Sequence, residues 1–334
     1  MVIGTFGQET VQHGIRRLDP LRDLAQVAGI IEAGFGRELT PSGRRALREM
    51  RFTSRLGPLL WWMAATSPEF REYHSGFVWV QDGQIVGTLH ITRPGPRMRR
   101  WFISNVAVRA EYRGRGIARA LMETALHWAR EQDSDALFLR VRKDNVAAFS
   151  LYQSLGFERL YDAVDLELAQ VPPVKKPTAT DQVSITPYRP GQWPQVRQLA
   201  RAAIPPDLRW LEPVRAAEFE ITLSRRISEW WARLIFEREV YRLVAEHDKR
   251  IIAAAAVKIA CRRGVHTMTL HVQPEYRGKV EERLVAKMLA HLWPHRDRMT
   301  RIALPIAHDQ TIKMLKRYGF EEQKTLTLMH KSSR

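Results

Sequence analysis

Apolar residues dominate Trp101 to Val108, lapse, and resume at helical spacing from Ile117 to Arg130. The first run predicts a strand and the second an amphipathic helix, with Val106 and Val108 alternating as positions of a half-buried strand. Strand-length runs also occur at Phe77–Val80 and Ile251–Val257, and Asp82-Gly83 before Ile85-Val86 signals a hairpin. Between the first helix and Phe77 lies a long segment, Arg37 to Tyr73, holding Pro41, Gly57-Pro58, Trp61-Trp62 and a basic helix-like stretch from Arg44 to Arg55. No apolar run approaches the ~18 residues of a membrane-spanning helix. The N-terminus lacks a basic segment followed by a long apolar core. The expectation is a soluble, cytoplasmic protein without a membrane partner.

The pattern occurs twice. Glu111-Tyr112-Arg113-Gly114 returns as Glu275-Tyr276-Arg277-Gly278, and Leu155-Gly156-Phe157 as Tyr318-Gly319-Phe320. Trp61-Trp62 returns as Trp230-Trp231, the Asp82-Gly83 hairpin as Asp248-Lys249, and the entry segment Ile15–Ala25 as Ile185–Arg197. Repeats spaced by about half of a 334-residue chain predict two related domains. The expected division is 1–168 and 184–334, joined by a polar, Pro-rich linker over 169–183.

Strand and helix of the first copy are joined by Arg113-Gly114-Arg115-Gly116-Ile117-Ala118. Glycines admit close backbone approach, first-turn N–H groups have no partner within the helix, and the helix dipole favours an anion. A basic loop of this kind suits a pyrophosphate. A second block follows, Arg142-Lys143-Asp144-Asn145 to Leu151-Tyr152, closed by Leu155-Gly156-Phe157.

Together the two blocks resemble the GCN5-related N-acetyltransferase (GNAT) family, whose signature Arg/Gln-x-x-Gly-x-Gly/Ala is met by Arg113, Gly116 and Ala118. The resemblance implies an α/β protein of two tandem GNAT (acyl-CoA N-acyltransferase) folds, each a mixed, largely antiparallel sheet flanked by helices. It implies an N-acetyltransferase that moves the acetyl group of acetyl-CoA to a primary amine of a small metabolite or peptide. Val106, Ala107 and Val108 would offer backbone groups to the acetyl oxygen and pantetheine. Arg113, Gly114, Arg115, Gly116, Ile117, Ala118 and Arg119 would hold the pyrophosphate of CoA. Asn145 would lie beside CoA, although a helix N-cap accounts for it equally well. Tyr152 would also contact CoA and act as general acid toward the departing thiolate; its bland alternative is a core tyrosine sharing a helix face with Phe149.

Within the family, Asn105-Val106-Ala107-Val108, Leu139-Arg140-Val141-Arg142, Asn145 and Tyr152 resemble the ribosomal-protein alanine acetyltransferases. Those enzymes place a glutamate where this chain has Arg140, which cannot accept a proton. Arg140 would instead face a carboxylate- or phosphate-bearing acceptor, or simply be a solvated strand residue. Glu69, Glu72, His74 and His90 are acid/base types, but no spacing singles them out and a surface position is expected for each. Trp61, Trp62 and Phe70 are expected to pack the long insert more than to line a pocket. Mycothiol synthases share the tandem layout, so a metabolite acceptor is also compatible.

The second copy departs from the signature. Its loop reads Arg277-Gly278-Lys279-Val280-Glu281-Glu282, with Val280 where the close-approach glycine stood, and two glutamates facing an anionic ligand. Leu315 replaces Tyr152 and His308 replaces Asn145. The expectation is a degenerate, non-catalytic copy in which Val280 crowds the phosphate.

The single cysteine, Cys261, excludes an internal disulfide and a Cys-based metal cluster, and no metal is expected. The net charge of +17 is unequal: residues 1–168 carry 23 Lys and Arg against 19 Asp and Glu, residues 169–334 carry 30 against 17. A basic second half would suit nucleic acid or a ribosome. No basic run is interleaved with aromatics, however, and 42 of the 53 basic residues are arginine, which favours an ordinary solvated surface. Two rival functions follow: a non-catalytic acyl-CoA-binding or regulatory protein, and a nucleic-acid- or ribosome-associated module. Oligomeric state is not encoded in any pattern found.

Overall fold

A computed structural model describes residues 13–20, 22–36, 41–53, 75–93, 99–174, 183–203, 238–260 and 264–333. Two compact units are formed, one by residues 1–160 with 327–334 and the other by 161–326.

In the first unit, β1 (His13–Arg17), α1 (Leu24–Phe35), α2 (Pro41–Thr53), β2 (Gly76–Gln81), β3 (Gln84–Thr92) and β4 (Arg100–Val108) precede α3 (Ile117–Glu131), β5 (Ala136–Arg142) and α4 (Val146–Ser154). Strands β1 to β4 pair antiparallel in order, and β4 pairs parallel with β5. The Thr327–Ser332 end of β12 (Glu321–Ser332) completes the sheet beside β5.

In the second unit, residues 161–168 of β6 (Glu158–Leu168) are followed by β7 (Ser184–Pro187), α5 (Trp193–Ala203), β8 (Arg238–His247), β9 (Arg250–Ala260), β10 (His266–Val272), α6 (Glu281–Leu292), β11 (Thr300–Pro305) and α7 (Asp309–Arg317). The strand order is β6-β11-β10-β9-β8-β7, parallel between β10 and β11 and antiparallel elsewhere. Both units therefore contain the mixed, largely antiparallel sheet that the family resemblance implies.

Local chemistry explains the matching hairpins. Asp82 and Gly83 have φ of 52° and 74°, and Asp248 and Lys249 have 48° and 62°. Two successive positive φ values make the tight turn whose twist matches that of the flanking strands.

Each face of the first sheet buries an amphipathic helix. Ile117, Leu121, Met122, Ala125, Leu126 and Ala129 recur at helical spacing on α3 and pack with Phe77, Leu89, Trp101, Ile103 and Leu139. On the opposite face Val27, Ala28, Ile30 and Ile31 of α1, with Leu47 of α2, cover Val78, Val80, Ile85 and Ala107. Coverage on both faces buries every residue of β3 from Ile85 to Ile91, polar Thr88 and His90 included.

Candidate active site

The site begins with an irregularity in β4. Thr88 pairs with Ala107 but His90 pairs with Ser104, so three steps on β4 oppose two on β3. The extra residue is a β-bulge centred on Asn105, whose φ is +52°. A bulge inverts side-chain parity. Before it Trp101 and Ile103 face α3; after it Val106 and Val108 do, while Ala107 turns to the α1 face.

The Asn105 side chain is anchored, its Nδ2 lying 2.8 Å from His90 Nδ1. With the amide nitrogen toward the ring, Nδ1 is the acceptor and the ring proton sits on Nε2. His90 is thus not the surface residue expected from sequence: it is 5% exposed. It alternates with Thr88 on a strand covered on both faces, which one strand's sequence does not reveal.

Beyond the bulge, β4 and β5 part. Their parallel pairing runs from Arg100 with Ala136 to Ile103 with Leu139, although the strands continue to Val108 and Arg142. Val106, Ala107 and Val108 lie in this diverging stretch.

The divergence leads to the glycine loop. Gly114 and Gly116 have φ of +76° and +79°, a region costly for residues with a Cβ. Both are exposed, and nothing lies within 4 Å of where a Cβ would stand. Gly116 is the N-cap of α3 and no side chain caps that helix. The first-turn amides of Ile117, Ala118 and Arg119 are therefore the ungratified donors of a helix start. Arg113 donates from Nε to the Val108 carbonyl at 3.1 Å, fastening the loop to the end of β4. Arg115 donates to the Glu111 carbonyl at 3.0 Å and lies over Tyr112, 5.0 Å from the ring centroid. Arg119 reaches across to Ser154 Oγ of α4 at 2.7 Å. Arg119, Arg130, Ser154, Gly156 and Lys331 help to line an open cleft of about 480 Å³ beside α3 and α4.

Asn145 is the N-cap of α4, its Oδ1 accepting from Ala148 N at 3.1 Å. The cap reading is therefore present in the structure. Asn145→Ala is expected to destabilise the first unit by about 1 kcal/mol, measured by thermal unfolding, with Asn145→Ser near neutral.

Tyr152 faces inward on α4, 7% exposed and edge-on to Phe157 at 6.1 Å between ring centroids. Burial pushes its phenol up to about 12. Arg140 is exposed on β5, its guanidinium carbon 5.8 Å from the Phe102 ring centroid. The other acid/base candidates, Glu69, Glu72 and His74, lie outside the described residues, as do Trp61, Trp62, Phe70, Trp230, Trp231, Cys261 and positions 175–182 of the linker.

In the second unit the counterparts differ in character. Leu315 is fully buried in place of Tyr152. His308 occupies the N-cap position of α7 without capping it. Burial first, then the charges of Arg277 and His271, hold His308 down at about 4. Because the folded value lies below the ordinary 6.5, neutral His308 favours the fold above about pH 6.5, and that contribution is lost on acidification through pH 4. Thermal unfolding from pH 7 to pH 4 is expected to fall less steeply in His308→Asn than in the parent protein.

A glycine loop opening a helix after a parallel strand pair that parts is the arrangement of an N-acyltransferase fold. Residues 42–157 match the family pattern described as "Acetyltransferase (GNAT) family". The chain is 33% identical over 125 residues to N-alpha-acetyltransferase RimI of Mycobacterium tuberculosis, covering 36% of this chain and 77% of that protein. It is 36% identical over 86 residues to human N-acetyltransferase 8B, 24% of this chain and 38% of that protein. A Mycobacterium leprae relative, 36% identical over 127 residues, is spanned over only 34% of its length. The chain belongs to the GNAT acetyltransferase family.

Solved structures extend the likeness over both units. A GCN5-related N-acetyltransferase from Sphaerobacter thermophilus aligns over 97% of this chain and 96% of its own with a TM-score of 0.68 and 14% identity. A tandem GNAT protein from the clavulanic acid biosynthesis pathway aligns over 96% and 98% with a TM-score of 0.60 and 16% identity. At such identities the likeness concerns the fold, which is the tandem GNAT fold. Among the described residues no helix is long and apolar enough to cross a membrane, and no group of three or more His, Cys, Asp or Glu is arranged to hold a metal.

Proposed function

We propose that the first unit is an N-acetyltransferase transferring the acetyl group of acetyl-CoA to a primary amine, and that the second unit is non-catalytic. The observation that carries this reading is the parting of β4 from β5 immediately before an uncapped, open glycine loop. The residues fit the cofactor: a loop on which a Cβ would meet nothing leaves room for a diphosphate.

Acetyl-CoA supplies the acyl group as an activated thioester carbonyl. Amides from Gly114 to Arg119 would bind the diphosphate, with α3 contributing the positive end of its dipole. Backbone along Val106, Ala107 and Val108 would bind the pantetheine arm, and one of its N–H groups would face the carbonyl oxygen as charge develops there, the interaction that usually matters most. The hydrogen bond between Asn105 and His90 would hold that stretch in register. Asn145 would lie beside the cofactor while still capping α4. Tyr152, protonated at every physiological pH, would donate to the leaving sulfur. Arg140, at the mouth where the strands part, would favour an acceptor bearing a carboxylate or phosphate near its amine.

A second reading, an acyl-CoA-binding regulatory protein, is favoured by one feature: Arg140 stands where a base is expected. A panel of amines with and without a neighbouring carboxylate or phosphate separates the two when free CoA thiol is followed over time. Amine-dependent thiol release, strongest for an anionic acceptor, is expected. Binding of acetyl-CoA without thiol release from any amine would favour the regulatory reading.

A further inference from the structure

The glycine loop recurs in the second unit with the same backbone as far as Gly278; at the helix N-cap it departs, Val280 having φ −114° where Gly116 has +79°. Gly278 has φ +79° against +76° for Gly114. Arg277 N bonds to Pro274 O as Arg113 N does to Ala110 O. The group facing the loop differs as well. Glu281, the first residue of α6, is 2% exposed and turns its carboxylate back onto the turn that precedes it. Oε1 accepts from Gly278 N at 2.9 Å and Oε2 from Val280 N at 3.2 Å. A third donor, Thr311 Oγ1 on α7, reaches Oε1 at 3.2 Å. The side-chain oxygen of Gln310 also lies over Gly278, where a Cβ would collide with it; at the equivalent Gly114 nothing is near.

Two features correct the reading from sequence. Val280 does not crowd the loop, since its side chain is buried in the apolar core of the unit with Leu284 and Ile312. Of the paired glutamates only Glu281 turns inward; Glu282 is exposed and pairs with Arg317 at 3.5 Å. The negative charge beside the loop is thus not merely repulsive. One carboxylate has taken the place of a ligand.

We infer that Glu281 is a built-in phosphate mimic that occupies the anion-binding loop of the second unit and closes it to the diphosphate of acyl-CoA. This rests on the reading that the equivalent loop of the first unit takes that diphosphate. A buried carboxylate is stable only if its charge is compensated. Here two loop amides, a hydroxyl and the start of a 12-residue helix compensate it. Those are the donor types a bound phosphate would use. Because Glu281 is part of the chain, its local concentration exceeds that of any free ligand, and the loop remains filled at all cofactor levels.

The test uses Glu281→Ala in a full-length Gly116→Asp background, with inorganic pyrophosphate as probe and thermal unfolding as readout. Without anion, the double variant is expected to unfold at a lower temperature than Gly116→Asp alone. Millimolar pyrophosphate is expected to restore at least half of that loss and to leave the single variant unchanged, with chloride at equal ionic strength ineffective. Pyrophosphate responses that are equal in the two proteins, or absent from the double variant, would overturn the inference. Should the alanine protein not be recovered folded, Glu281→Ser, which also vacates the loop, is measured instead and the same comparison decides. Since Gly116→Asp removes the first loop from the readout, the result is independent of whether the first unit binds acetyl-CoA. That separate question is answered with Glu281 intact.

Discussion

Gly116→Asp is expected to lower the affinity of the first unit for acetyl-CoA by about 10²–10³-fold while leaving the fold in place. The substitution adds a Cβ at φ +79°, a conformation aspartate tolerates better than most residues, so the backbone strain is modest. The larger effect is charge. A carboxylate at the N-terminus of α3 would face the phosphate oxygens that approach the first-turn amides. Like charges about 4 Å apart repel by about 4 kcal/mol at an effective dielectric constant near 20, close to a thousandfold in affinity. The carboxylate also caps the helix itself and competes for the same donors, much as Glu281 does in the second unit. Isothermal calorimetry, with circular dichroism to verify folding, checks the outcome. Affinity within a few-fold of the parent would place the diphosphate elsewhere.

Tyr152→Phe is expected to reduce kcat by about 10²-fold, the lower end of what a positioned proton donor contributes. The lower end follows from burial. A phenol raised to about 12 lies well above a thiol near 8.5, so complete proton transfer is uphill and hydrogen-bond donation carries the effect. Affinity for acetyl-CoA is expected to change by no more than a few-fold, because the ring and its packing on Phe157 remain. The pH profile follows as well: no loss of rate assignable to this phenol should occur below pH 10. The folded value lies above the ordinary 10, so the stability linked to Tyr152 is complete below pH 10 and lost as pH rises through about 12. The phenylalanine variant should lack that alkaline decline. A kcat unchanged in Tyr152→Phe would remove Tyr152 from the chemistry.

The parts of the site readable in the sequence are those set by neighbours along the chain. Gly114, Gly116 and the helical apolar spacing from Ile117 onward are local signals, and loop and helix follow directly from them. The Asp82-Gly83 and Asp248-Lys249 hairpins are local in the same way. The bulge is not. Nothing in Ile103-Ser104-Asn105-Val106 marks an extra residue, which exists only relative to Thr88 and His90 on the neighbouring strand. The burial of His90 is likewise non-local, since strand alternation alone leaves its face undecided. Glu281 shows a third limit. Its charge is plain in the sequence, but whether it repels a ligand from outside or replaces it from within depends on the direction of one side chain. The extent of the compact units is also non-local, since residues 327–334 join the first unit after the 166 intervening residues 161–326.

The central claim is one working acyl-CoA site in a chain that contains the loop twice. Calorimetric titration of acetyl-CoA into the purified full-length protein tests it most directly. One site per chain, abolished by Gly116→Asp and unaffected by Glu282→Ala, is the expected result. Two sites per chain would contradict the closure of the second loop, and no saturable binding would contradict the assignment of the first.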